Sequence, residues 1–218
     1  MRLTPGVAGA VLLATRLAAA QDQGWHSLFD GSTSKGWVEV TGKPFPAHSW
    51  TVEDGCLKAL ARTDGFEDIR TVESFTSFEL QFEWKISKLG QSGVKYLIQA
   101  QGIGLEYRLV DIYSLDISDP TRITGALYSI LAPSGANWKV GVFNESRVIV
   151  QGDHVEHWLN GARVLSFETT NPAVQAALRG MLPKGSGAET PLVKESPISL
   201  ESRASETWFR NIKIRSLP

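Results

Sequence analysis

Five ionisable side chains stand on short segments whose alternation suits half-buried strands. Lys95 lies in "QSGVKYLIQ" (91–99). Glu106, Arg108 and Asp111 lie in "GLEYRLVD" (104–111), and His157 lies in "GDHVEHWLNGARVLSF" (152–167). A carboxylate or imidazole can take a proton. A fixed cation can hold the negative charge that results, and a second carboxyl can return the proton. Period-two alternation puts Glu106 and Arg108 on one face of their segment and Asp111 on the other. The competing account of all five is a solvated strand face with mixed charges.

Other chemistries lack their residues. His154 and His157 are three apart, a spacing that on a helix would suit one metal ion. Asn160-Gly161 follows them, however, and both residues tolerate the positive φ of a tight hairpin turn. The segment therefore reads as a strand, with its two imidazoles on opposite faces. The sequence has no Gly-x-Ser-x-Gly elbow, no Gly-rich phosphate loop and no His-Glu-x-x-His. No cofactor is identified, and a divalent metal is the one left open. Cys56 is the only cysteine, which excludes an internal disulfide and reads as a small buried side chain.

The elements that must position these groups are nearly all strands. In "SFELQFEWKIS" (77–87), Phe78, Leu80, Phe82, Trp84 and Ile86 share one face while Glu79, Gln81, Glu83 and Lys85 take the other. Further strands are expected over 49–52, 56–60, 94–99, 105–111, 125–131, 147–151, 155–159, 163–167, 197–201 and 207–214. Turn residues such as Glu53-Asp54-Gly55 and Gln101-Gly102 separate them. Many short strands between turns indicate a sandwich or barrel. One helix is expected in "NPAVQAALRGMLP" (171–183), with Asn171 as cap and Pro172 in the first turn. The seven tryptophans read mostly as core, with one or two available as a stacking floor for a sugar.

Residues 1–20 have the layout of a secretory signal peptide. Arg2 precedes an apolar run, and Ala18-Ala19-Ala20 forms a small-residue cleavage site. The run is too short for a membrane span, which needs about 20 apolar residues. Residues 21–218 are then one exported domain, periplasmic or extracellular. Its 20 basic residues against 23 acidic ones argue against nucleic acid as a partner.

Eight segments in order carry a resemblance: "WHSLFDGSTSKGW", "WTVEDGCLKA", "FTSFELQFEWKIS", "QSGVKYLIQ", "GLEYRLVD", "TGALYSI", "HVEHWLNGARVL" and "WFRNIKIRSL". Together they resemble the 3-keto-disaccharide hydrolase family over about Trp25 to Leu217. The resemblance implies an all-β fold, a concanavalin-like jelly-roll β-sandwich of two antiparallel sheets with one short helix. It also implies an exported enzyme acting on a small oxidised saccharide. A ketone at C3 of a sugar acidifies the hydrogen at C2, so a base can form an enolate and expel the C1 substituent. His157 or Glu106 would be the base, Lys95 or Arg108 the enolate stabiliser, and Asp111 or Glu106 the acid. Arg108, Tyr128, Asn144, Trp158 and Arg203 are the residues expected to bind substrate.

The sequence departs from that family's pattern at four places. Arg108 stands where a Gln is expected after Glu-Tyr, Gln91 where an Asn precedes Ser-Gly, and Phe143 where a Trp precedes Asn144. Glu201-Ser202-Arg203-Ala204 replaces an expected Gln-Asp-His-Gly run. Arg203 is a permanent cation without a usable lone pair, so it can replace neither a proton-carrying nor a metal-binding histidine. Two new cations suit an anionic substrate or a site that has lost its reaction. A non-catalytic carbohydrate-binding module on the same fold is the alternative. A direct glycosidase of the laminarinase type would need a Glu-x-Asp-x-x-Glu strand carrying its paired carboxylates, and the sequence has none.

Overall fold

The computed structural model describes residues 24–187 and 189–218; the leader expected over residues 1–20 lies outside them. Thirteen strands and one α-helix follow in chain order among the described residues. They are β1 (His26–Ser27), β2 (Trp37–Glu39), β3 (Trp50–Glu53), β4 (Cys56–Ala59), β5 (Ile69–Thr71), β6 (Phe78–Ile86), β7 (Gln91–Ala100) and β8 (Ile103–Val110). After them come β9 (Asn144–Gln151), β10 (His154–Leu159), β11 (Ala162–Glu168), α1 (Pro172–Gly180), β12 (Ser199–Leu200) and β13 (Thr207–Ser216). The larger sheet runs β11-β10-β9-β6-β13-β4-β3, with β1 on β13, and the smaller runs β2-β5-β12-β7-β8. All the pairings are antiparallel.

The core lies between the sheets because alternation aims one side of every long strand inward. From β6 come Phe78, Leu80, Phe82, Trp84 and Ile86; from β7 and β8 come Val94, Tyr96, Leu105, Tyr107 and Leu109. Phe82 meets Tyr107 edge-on with ring centroids 5.9 Å apart. Fully burying one such side chain stabilises by about 1.5–3 kcal/mol. Trp37, Trp50 and Trp84 are all buried, and so is Cys56. The helix starts as its sequence predicts, with the Asn171 side chain accepting from Ala173 N at 2.9 Å.

One expected strand is not a strand. Residues 125–131 form only isolated bridges, Leu127 to Tyr107 and Leu127 to Leu131. Gly125 (φ 88°) and Ser129 (φ 57°) break the extension, and Ile130 N and Leu131 N turn back onto Leu127 O. The segment instead borders β8 through Gly125 N to Arg108 O at 3.0 Å and Tyr128 N to Glu106 O at 3.1 Å. The very short β1, β2 and β5 escape the sequence reading, because two or three residues cannot display a period.

Candidate active site

The smaller sheet presents a charged cluster on the face turned away from the core. Inward Val94 and Tyr96 leave Gly93 and Lys95 outward on β7; inward Leu105, Tyr107 and Leu109 leave Glu106 and Arg108 outward on β8. The register sets these groups in two rows. Ser199, Lys95 and Glu106 lie opposite one another across β12, β7 and β8. In the next row Gly93 faces Arg108, and Glu201 N donates to Gly93 O at 3.0 Å.

Lys95 Nζ lies 2.7 Å from Glu201 Oε1 and 3.0 Å from Asp68 Oδ2. Burial pulls its ammonium pKa down, but the charges of Glu201 and Asp68 outweigh this and the net shift is upward. Lys95 is thus a fixed cation. Arg203 pairs with Glu201 through Nη2 and approaches Asp68 at 3.5 Å through Nη1. Arg108 reaches Glu106 Oε1 at 3.3 Å, donates to Gln91 Oε1, and stacks on the Tyr128 ring at 4.4 Å.

Glu106 is the group poised to move a proton. Burial pushes its carboxyl up to about 8, and the negative charge of Glu201 pushes in the same direction against Arg108, Lys95 and Arg203. The cluster opens to solvent at Gln91, at the half-buried Tyr128 and at Phe66, which is 50% exposed. Phe66 lies 5.7 Å from the Arg203 guanidinium. No group of three His, Cys, Asp or Glu among the described residues is gathered to hold a metal ion. Asp68 and Glu201 share Lys95 and Arg203 instead.

Lys95, Glu106, Arg108, Tyr128 and Arg203 therefore come together, and four other expected site residues do not. His157 lies in the core on the inward side of β10 and is fully buried. Its Nδ1 contacts Gly125 O at 2.9 Å and its Nε2 contacts the Tyr96 hydroxyl at 2.6 Å. A carbonyl only accepts, so Nδ1 carries the proton and Nε2 accepts from Tyr96. Burial holds the His157 pKa down to about 4, so the ring is a neutral core strut and not the base of this cluster. Asp111 is also buried, with Oδ2 accepting from Leu89 N at 2.6 Å. It clasps the β6–β7 turn, where Leu89 has φ 61°.

Asn144 and Trp158 belong to the larger sheet. The Asn144 amide pins its own loop through Lys139 N and O. The Trp158 indole donates to Glu156 at 2.7 Å and carries the Arg147 guanidinium 4.8 Å above its ring. Asp68 escapes the sequence reading because the loop before β5 has no period. Glu201 is legible only as a departure, although alternation in "ISLES" already puts it on the same face as Ser199. A cavity of about 250 Å³ beside α1 is a separate place. Its Gln99 amide bonds to Val193, its Lys194 to Asp153, and its Gln175 to Thr169.

Residues 24–215 match the family described as 3-keto-alpha-glucoside-1,2-lyase-like domain. A Bacteroides thetaiotaomicron protein named 3-keto-disaccharide hydrolase is 28% identical over 231 residues, spanning 89% of this chain and 79% of that protein. A crystal structure from Parabacteroides distasonis, provisionally classed as a glycosyl hydrolase, is 25% identical with a TM-score of 0.76. That match covers 95% of this chain and 99% of the other. The carbohydrate-binding module CBM66 from Bacillus subtilis shares the fold alone, at 14% identity and a TM-score of 0.52 over 83% of this chain and 96% of that one. By a match that runs through both sheets and the charged cluster, the chain belongs to the family of 3-keto-alpha-glucoside-1,2-lyase-like domains.

Proposed function

We propose that this protein is an exported enzyme that cleaves 3-keto-glycosides at the outer face of its smaller sheet. The observation that carries the reading is Glu106, a buried carboxyl whose pKa is raised to about 8 beside the Arg108 and Lys95 cations. Proton abstraction is most effective when the base titrates near the working pH. Ionised Glu106 takes the C2 hydrogen of the keto sugar, and the electron pair moves onto the C3 oxygen. Lys95 and Arg108 are the cations that flank Glu106, and in this reading they hold that negative charge. The enolate then re-forms the ketone while the C1–O bond breaks and C1=C2 forms. Glu106 returns its proton to the departing oxygen, and water added across C1=C2 completes a net hydrolysis. Export is supported by the Arg2-to-Ala20 layout.

The test is incubation of the purified protein with a 3-keto-disaccharide and, in parallel, with the same disaccharide unoxidised. Release of free sugar from the keto form alone is the expected result. Affinity for the unoxidised glycan without turnover of either would replace this reading with a carbohydrate-binding module.

A further inference from the structure

A glycine lies beneath the Glu106 carboxyl at the centre of the cluster. Gly93 has no side chain, and the Glu106 carboxyl fills that space: a Cβ at position 93 would lie 2.6 Å from Glu106 Oε1 and 2.7 Å from its Cδ. Glu201 adjoins the same residue from the other side, its backbone N bonded to Gly93 O. The Glu201 side chain is fully buried, with Oε1 engaged by both Lys95 and Arg203. Its second oxygen, Oε2, is buried with no hydrogen-bond donor among the described residues. A buried carboxylate oxygen without a donor costs about 1–3 kcal/mol or more. A neighbouring carboxyl that keeps its proton removes that cost, because a protonated carboxyl donates where an ionised one only accepts.

We propose that Glu106 and Glu201 share one proton, with the Glu106 O–H donating to Glu201 Oε2 in the slot that Gly93 leaves open. The groups facing the pair are Lys95 from β7, Arg108 from β8, Asp68 from the loop before β5, and Arg203 from the chain after β12. Glu201 is fully enclosed and so acts through Glu106. It is a positioning residue that sets when Glu106 ionises. The resemblance leads one to expect a neutral Gln at position 201, where this chain has Glu201. The inference rests on the reading of Glu106 as the proton carrier, but its test does not need substrate.

The experiment is infrared titration of the free protein, following the carboxylic-acid carbonyl band from acid to alkaline pH. Wild-type protein is expected to keep one such band at neutral pH, and Glu106→Gln to remove it. Glu201→Gln keeps the shape of the side chain and removes its charge. It is expected to lower the midpoint of the band by more than about one unit, the mark of an interacting pair. Gly93→Ala, where it folds, is expected to do the same by displacing Glu106. A midpoint that stays put in Glu201→Gln, or a wild-type protein with no band at neutral pH, overturns the shared proton and leaves the proposed reaction standing. A shifted midpoint in a protein that turns over no keto sugar upholds the pair and sinks the reaction.

Discussion

Glu201 and Arg203 close an ion pair with each other across a single residue, at the point where the chain leaves β12. The resemblance leads one to expect a neutral Gln at position 201 and a His at position 203, and the two residues found there pair with each other. Arg203 is consequently not a surplus positive charge waiting for an anionic substrate. It is neutralised within the protein by Glu201 and Asp68, which weakens both the anionic-substrate account and the account of a site made inert by Arg203.

Because the two exchanges compensate, they couple. Arg203→His alone leaves the buried Glu201 charge to Lys95, and Glu201→Gln alone leaves Arg203 to the more distant Asp68 contact. Denaturant unfolding of both single variants and of the Glu201→Gln/Arg203→His double variant should give a coupling energy of about 0.5–3 kcal/mol. The double variant should be more stable than the sum of the single losses. Strict additivity would show that the pair has no energetic consequence.

Glu106→Gln keeps the shape of the side chain and removes its proton chemistry. Turnover of a 3-keto-disaccharide is expected to fall about 10²–10⁴-fold with the fold intact. In the wild-type enzyme the base must be ionised, so kcat/KM should rise with pH and level off above about 8. A rate that falls through the same range would assign Glu106 the acid's part alone.

The alkaline side of the stability curve carries the same group with a defined sign. Glu106 titrates near 4.5 when unfolded and near 8 when folded. The folded state therefore holds its proton more tightly, and stability is lost as pH rises between those values. Chemical denaturation between about pH 6.5 and 8, above the range in which His157 titrates, should show wild-type stability declining and Glu106→Gln declining less. Parallel curves would place the carboxyl in a far more hydrated setting than the slot over Gly93.

Much of this was legible in the sequence, and the parts that were not share a cause. The alternation of Phe78 to Ile86 dictates the core face of β6, and the spacing of Glu106 and Arg108 puts them on one side of β8. Period says which residues share a face, but not which face meets the core or which strands become neighbours. His157 falls on the inward side of β10 and Trp158 on the outward side of the other sheet, so neither reaches the cluster. The pairing of β12 with both β5 and β7 brings Asp68, Glu201 and Lys95 together from positions 68, 201 and 95. Nothing local records that meeting.

His157 makes the last prediction, since its burial marks it as structure. His157→Leu fills most of the same space but leaves the Tyr96 hydroxyl and Gly125 O without their partner in a dry core. Each orphaned group costs about 1–3 kcal/mol, so the variant should unfold at clearly lower denaturant while its folded fraction turns over substrate at the wild-type rate. The pH signature is opposite in sign to that of Glu106. The imidazole titrates near 4 when folded and 6.5 when unfolded, so its contribution is complete above 6.5 and is lost as pH falls from there toward 4. Over that window the difference is on the order of 3 kcal/mol, and His157→Leu should flatten the acid limb. A variant of normal stability that has lost turnover would instead return His157 to the chemistry.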